Sequence, residues 1–326
     1  MSELKMPRVL VTGGSGFIGT NLINSLVHDG VQVINLDINR PVIPDHDSCR
    51  ARADILDYPE VIRVFHDFRP EYVVHLAART DLDENAGLEG YAANTDGVRN
   101  ICRAVNDTVS VKRAIISSSM LVCRPGYVPE SDDDYAPTTL YGRSKVLTEK
   151  ITRDSGMSCV WTLVRLTTIW GPYHMRLKGE LFRLLKKGLY MHPGNRPVMK
   201  TYGYVGNTVF QIRKILDGLT DMVNGKTYYL GDPAINLRHW VGEFSKRLKD
   251  RDVIELPLPL MKSLARAGDF MAGFGFSRFP MTSFRLGNMT IENVLDINPI
   301  LEVSGILPFT MTEGIDETVR WLNQAG

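Results

Sequence analysis

Cysteine is scarce in this chain, with four in 326 residues, and Cys49, Cys102, Cys123 and Cys159 stand at no paired spacing. That argues against a disulfide framework or a thiolate metal centre; the four read as small buried hydrophobes of a reducing compartment. Net charge is equally scarce. The 38 Lys and Arg against 37 Asp and Glu leave +1, which removes the electrostatic case for a nucleic-acid partner. The seven histidines make no metal-type pattern, and His75, inside an apolar strand, reads as a packed core residue rather than a catalyst. No apolar run is long enough to span a bilayer. The segment Ile254–Phe279 is rich in Leu, Met, Phe and Ala but is broken by Lys262, Arg266, Asp269 and several glycines, so it fails as a spanning helix. It reads as a core or lid helix of a second lobe in preference to a membrane-touching or apolar-substrate surface. The few residues before the first strand leave no room for a signal peptide, and there is no repeat or low-complexity run. The expectation is a cytoplasmic protein without membrane insertion.

What is present begins at Val9. The run Val9-Leu10-Val11-Thr12-Gly13-Gly14-Ser15-Gly16-Phe17-Ile18-Gly19 takes a short apolar strand straight into glycines at three-residue spacing and then into an amphipathic helix. Gly13 permits the tight turn, Gly16 lets a pyrophosphate approach the backbone, and Gly19 lets the helix pack closely on the strand. Unpaired N–H groups at the helix N-terminus then favour the anion. A second strand, Val31–Leu36, ends in Asp37, about the distance past the glycines at which an acidic residue accepts the adenosine ribose hydroxyls. A carboxylate there repels a 2′-phosphate, which argues for NAD over NADP. Arg40 is the nearby cation that would accommodate that phosphate instead.

The second constellation is Tyr141-Gly142-Arg143-Ser144-Lys145. Residues four apart share a helix face, so the phenol and the ammonium point into the same space. A tyrosine with a pKa near ~10 is a poor base at neutral pH, and a neighbouring cation is expected to lower it. Tyr141 is thus a candidate general acid/base for an alcohol–ketone conversion. Between the two constellations, Ile116-Ser117-Ser118-Ser119-Met120-Leu121-Val122 reads as a strand ending in hydroxyls, any of which can hold the reacting oxygen.

Strand candidates Tyr72–Leu76, Ala114–Ser118 and Cys159–Leu166 alternate with helical stretches Asn94–Val105 and Tyr141–Arg153. This pattern predicts an α/β fold, a Rossmann-type doubly wound parallel sheet. Beyond about Gly171, Pro and Gly become frequent. The expected division is a dinucleotide-binding domain over 1–171, to which later segments return, and a smaller C-terminal substrate lobe over 172–326.

Taken together, Thr12–Gly19, Ala53-Asp54-Ile55, His75-Leu76-Ala77-Ala78, Asn94 with Gly97, the serine run, Tyr141 with Lys145, and Arg165 leading to Trp170-Gly171-Pro172 resemble the extended short-chain dehydrogenase/reductase family, in its NAD-dependent nucleotide-sugar epimerase/dehydratase branch. The resemblance implies that Gly13, Gly16, Phe17, Ile18, Gly19, Asp37, Asp54, Ile55, Leu76, Ala77, Ala78 and Asn94 bind NAD. It also implies that Lys145 holds the nicotinamide ribose, that Ser119 joins Tyr141 and Lys145 in catalysis, and that the chain forms a homodimer. Thr80, Thr168, Lys200 and Arg285 are the implied substrate residues. Departures bear on the reaction. Met120-Leu121 replace the Asp-Glu pair of the family's dehydratases, and two apolar residues cannot shuttle the protons of water elimination. Thr168 stands where Asn often grips the sugar diphosphate, and Asn207 stands where many sugar enzymes have Asp, a wording shared with hydroxysteroid dehydrogenases. His192-Pro193-Gly194-Asn195 through Lys200 and Tyr228–Asp232 look like the sugar-enzyme branch of bacterial surface-polysaccharide pathways. The expected activity is epimerisation, or a related epimerase/reductase reaction, of a nucleotide-linked sugar. The alternatives are a 3β-hydroxysteroid-type or other small-alcohol dehydrogenase, and a non-catalytic NAD-binding sensor or scaffold.

Overall fold

A computed structural model describes residues 7–194, 196–273 and 281–324. Its first strand, β1 (Val9–Thr12), is buried at every position. Val9 and Val11 belong to the apolar core on one face of the sheet and Leu10 to the core on the other, the pattern of a parallel strand covered on both sides. The strands β2 (Val33–Leu36) and β4 (Tyr72–His75) pair in parallel with it, and β3 (Arg50–Ala51), β5 (Arg113–Ser119) and β6 (Val160–Leu166) extend the parallel sheet outward from them. A further strand, Lys226–Leu230, joins the far edge beside β6. Read across the sheet the order is Lys226–Leu230, β6, β5, β4, β1, β2, β3. The direction of winding reverses between β1 and β4, and a crevice opens there at the carboxyl ends of the strands.

The helices follow from their apolar spacing. In α1 (Phe17–His28), Leu22, Ile23 and Leu26 are buried against one face. In α2 (Tyr58–Phe68), Val61, Val64 and Phe65 cover the other, and the Asp57 carboxylate caps the start by accepting the Glu60 N–H at 3.1 Å. The same face receives Val98, Ile101, Cys102 and Val105 of α3 (Ala92–Asn106). The fourth helix, α4 (Leu140–Asp154), packs beside α3 with Tyr141, Lys145 and Glu149 all buried.

After β6 the chain alternates between layers. Thr168–Trp170 pairs with Tyr202–Tyr204. The following helix, Val205–Asp217, returns to α1, where Arg213 donates to Ser25 Oγ at 2.7 Å and pairs with Asp29. Trp170, Tyr204, Trp240 and Phe244 meet edge-on or tilted at 5.1–5.6 Å between ring centres within the same core as α1. Further along the chain Met191–Pro193 pairs with Ile254–Leu256, and Met261, Ala265, Met281 and Leu286 form a satellite core. The described part of the Ile254–Phe279 segment is therefore largely the helix Leu258–Gly273, seated on that core by Met261 and Ala265. Residues 274–279, and Asn195 of the His192–Asn195 motif, lie outside the described residues. Among the described residues no helix is long and apolar enough to cross a membrane.

This packing holds three histidines neutral. Burial pushes His75 down to about 3 and His174 and His192 down to about 4. Each folded value lies below the ordinary one, so the unfolded chain takes up protons first and stability falls as pH drops from about 6.5 towards 4. Asp232, raised to about 6 by burial, acts in the opposite sense and offsets part of the loss. The expected result is a thermal midpoint that declines over that window; a midpoint constant from pH 6.5 to 4 would contradict it.

Candidate active site

The crevice is a cleft of about 840 Å³, bordered by Gly13, Gly16, Phe17, Ile18, Gly19 and Asp37 on the nucleotide side. Gly13 has φ +69°, and a Cβ there would meet Ala77 N at 2.6 Å, so the turn requires glycine twice over. A Cβ on Gly19 would run into the Gly13 carbonyl. Gly14 is equally constrained, by Asn35 and Ile23, a role the three-residue spacing did not mark. At Gly16 a Cβ would meet only the Gly13 carbonyl, at 3.2 Å. Gly16 also caps α1 with no side-chain hydrogen bond, and the first turn carries no acidic residue. The helix N-terminus is thus a backbone cradle shaped for an anion, which fits the pyrophosphate of a dinucleotide.

Asp37 shapes this cradle as well as bordering it. Its Oδ2 accepts the Ser15 N–H at 3.0 Å and its Oδ1 the Asn39 N–H at 2.8 Å. Asn35 Nδ2 donates to Ser15 Oγ, which donates to the Asn39 carbonyl, both at 3.0 Å. Asp54, Ile55, Leu76, Ala77 and Ala78 continue the wall, while Arg40 is exposed and is not among its lining residues. The Thr12 hydroxyl accepts the Ala77 N–H at 3.3 Å and bonds His75 Nδ1 at 2.7 Å. His75 is thereby a strut beneath the cofactor loop. Asn94 stands behind the wall, not in it: fully buried, it accepts the Arg79 N–H and donates to the Arg79 carbonyl and to Ser144 Oγ, each at 2.9 Å.

Helix α4 and strand β5 close on one another rung by rung. The Tyr141 hydroxyl faces Ser119, Lys145 Nζ donates to the Ser117 carbonyl at 3.0 Å, and Glu149 accepts the Ser118 hydroxyl at 2.6 Å. The three serines are thus distinguished. Ser119 faces the phenol and accepts the Leu121 N–H at 3.1 Å, Ser118 is spent on Glu149, and Ser117 holds the lysine through its backbone. Ser119, Tyr141 and Lys145 all border the cleft. The expected lowering of Tyr141 by the ammonium is absent. Burial pushes Tyr141 up to about 12, opposed only by the Ser119 hydrogen bond, and burial drives Lys145 itself down to about 8 against the pull of Glu149.

Glu149 is fully buried and accepts from Arg165 Nε and Nη2, both at 2.9 Å, and from the Tyr135 hydroxyl at 3.0 Å. Replacing it by alanine leaves Arg165, 1% exposed, without its counter-charge. The expected loss is about 3–5 kcal/mol in urea denaturation, and a loss below ~1 kcal/mol would show that the pair is dispensable.

The four expected substrate residues do not converge on this cleft. Thr80 borders it; Thr168, Lys200 and Arg285 are not among its lining residues. Thr168 lies in the Thr168–Trp170 strand beside Tyr202, with its neighbours Thr167 and Ile169 in the wall instead. Lys200 is buried and donates to the Ile291 carbonyl, and Arg285, in the helix Ser283–Thr290, pairs with Glu180 at 3.7 Å. Met120 Sδ receives the Asn293 amide at 3.5 Å, so the segment covering Lys200 also touches the residue after Ser119. Arg79 and the run Tyr173-His174-Met175-Arg176 line the cleft and went unread in the sequence. The signal was available, because this run follows Trp170-Gly171-Pro172 directly.

A model of the NAD dependent epimerase/dehydratase family matches residues 9–231. The chain belongs to this family. NAD is its cofactor. Along its full length it is similar to the N-acetyl-alpha-D-glucosaminyl-diphospho-ditrans,octacis-undecaprenol 4-epimerase of Escherichia coli O157:H7, at 25% identity over 326 residues, covering 96% of this chain and 94% of that one. It is also similar to a decarboxylating sterol-4-alpha-carboxylate 3-dehydrogenase of Schizosaccharomyces pombe, at 24% identity over 98% of both chains. A UDP-glucose 4-epimerase from Thermotoga maritima, solved with UDP-glucose, shares the fold with a TM-score of 0.75 at 20% identity, covering 98% of this chain and 99% of that one.

The position of Asp37 generates a test of cofactor choice. Like-charge repulsion is expected to make NAD bind more tightly than NADP in calorimetry, and Asp37→Ala to narrow the gap. The variant also frees two loop N–H groups, so its NAD affinity is expected to fall too. Equal affinities in the unaltered protein would contradict the assignment.

Proposed function

We propose that this member of the family is an epimerase, or a related epimerase/reductase, of a nucleotide-linked sugar, most simply a 4-epimerase of bacterial surface-polysaccharide biosynthesis. The observation that carries this is the single cleft in which the glycine cradle and Asp37 face Ser119, Tyr141 and Lys145. A cytoplasmic homodimer is the form this reading entails, with Thr80 meeting the sugar diphosphate.

When bound, NAD supplies a hydride acceptor for the oxidising half-reaction and a donor for the reducing half. The residues manage the proton. Tyr141, facing Ser119, takes the proton of the sugar hydroxyl as its carbon is oxidised and returns one as the keto carbon is reduced. Ser119 holds the reacting oxygen. The form of Tyr141 that can take a proton is the phenolate, which becomes a phenol in doing so; the Lys145 ammonium on the same helix face works towards that form, against the burial that raises Tyr141. The apolar Met120-Leu121 pair supports epimerisation over dehydration, because neither side chain exchanges a proton.

The decisive variant is Tyr141→Phe, which keeps the ring and removes the acid/base group. Turnover is expected to fall on the order of 10²–10⁴-fold with NAD still bound, and near wild-type turnover would overturn the assignment. The likeness to a sterol dehydrogenase defines the competing outcome: oxidation of a sterol, with no thermal stabilisation of the NAD-loaded protein by UDP, GDP, dTDP or CDP, would replace the sugar reading.

A further inference from the structure

Tyr173, with a left-handed φ of +68°, opens a segment anchored at both ends. His174 stacks on Phe17 at 4.4 Å, and Phe182 is buried against Phe244 at 4.9 Å. That irregularity serves the cleft, because Tyr173–Arg176 is part of its wall. A second cavity, of about 680 Å³, shares no lining residue with the cleft. The two stand back to back. Ile169 borders the cleft and Trp170, the next residue of the Thr168–Trp170 strand, borders the cavity, as successive strand residues face opposite ways.

The cavity wall is aliphatic at Ile235, Leu301, Ile306 and Met311 and aromatic at Trp170 and Phe309; its polar residues are Asn207, Asp232 and Thr310. Two of the three are spent on holding its shape. Asn207 accepts the Phe309 N–H at 3.0 Å and donates to the Phe309 carbonyl at 2.8 Å, which pins that wall to the helix Val205–Asp217. The Thr310 hydroxyl donates to Glu313 at 2.7 Å. Asp232 is different. Its Oδ2 accepts the Tyr204 N–H at 2.7 Å and its Oδ1 the Asn207 amide at 2.9 Å, one donor for each oxygen where a carboxylate offers about four acceptor sites. Among the described residues no lysine or arginine pairs with it, and burial dominates its surroundings. A carboxylate withdrawn from water is ordinarily paired with a cation.

We propose that this cavity is a second binding site, which takes an organic amine whose ammonium pairs with Asp232 and whose apolar body lies against Trp170 and Phe309. An ammonium supplies three donors and the missing charge. Aromatic neighbours suit a cation, and the aliphatic wall removes a hydrocarbon body from water. The volume is that of ordinary small-molecule sites. A carboxylate or phosphate ligand would meet like charge at Asp232 and is excluded. The site goes beyond the sugar chemistry of the cleft and does not rest on it.

Calorimetry on the full-length, NAD-loaded protein tests this at mildly alkaline pH, where Asp232, with its value of about 6, is ionised. The probes are tryptamine and two controls that carry the same ring, the neutral tryptophol and the anionic indole-3-acetate. Tryptamine is expected to bind at least about 10-fold more tightly than either. Asp232→Asn is expected to weaken tryptamine about 10- to 100-fold and to leave tryptophol unchanged. Because Asp232 also braces Tyr204 and Asn207, a second variant keeps the test clear of folding. Ile306 borders the cavity and is 94% exposed, so Ile306→Lys is tolerated by the fold. It places a competing cation at the cavity and is expected to weaken tryptamine about two- to tenfold with NAD affinity unchanged. The site is overturned if the three probes bind alike, if folded Asp232→Asn keeps its tryptamine affinity, or if Ile306→Lys leaves that affinity as it was.

Discussion

The arrangement hangs on a carboxylate taken out of water. Glu149 is fully buried, where a carboxyl group is costly unless its oxygens are met from several directions, and the groups that meet it come from different elements: Ser118 from β5, Arg165 from β6, and Tyr135 from the loop that precedes α4. Satisfying that one group therefore fixes how α4 lies across the sheet. The rungs of Tyr141 and Lys145 inherit the register, because they are two turns and one turn back along the same helix. Precision in the groups that face the cleft is a by-product of a solvation requirement met some distance beneath them.

The nucleotide half was largely legible in the sequence because its chemistry is done by backbone, and backbone demands leave residue signatures. A turn at positive φ and a helix pressed against a loop each ask for glycine, and a strand covered on both faces asks for an uninterrupted apolar run. The helix spacing of Tyr141 and Lys145 was legible for the same geometric reason. Which serine faces the phenol was not. That depends on Glu149 and Lys145 claiming the other two, a matter of tertiary contacts with no local trace. The direction of the Tyr141 shift was missed similarly, since adjacency on a helix face says nothing of how deeply the pair is buried or that the ammonium is spent on a carbonyl.

The part of the chain beyond Gly171 was read least well. Its expected cations are held by partners distant in sequence, Lys200 by Ile291 and Arg285 by Glu180. The stretch of it that borders the cleft is Tyr173–Arg176, whose conformation breaks local rules. Sequence patterns describe segments that obey their own propensities. Segments bent by anchors at both ends, such as the one between Phe17 and Phe244, escape them.

One feature of the sheet bears on how the molecule is made. Its edge strand, Lys226–Leu230, pairs with β6 along five residues, from Lys226 opposite Thr162 to Leu230 opposite Leu166. Between the two strands the chain leaves the sheet for some sixty residues, contributing Tyr173–Arg176 to the cleft and laying the helix Val205–Asp217 over α1. On a ribosome delivering roughly 5–20 residues per second, β6 thus emerges seconds before the strand that covers its edge. Until then it presents open N–H and C=O groups to any passing strand, so the nascent chain passes through an interval in which this half is exposed to mispairing, and excising residues 1–171 as a fragment would make that interval permanent.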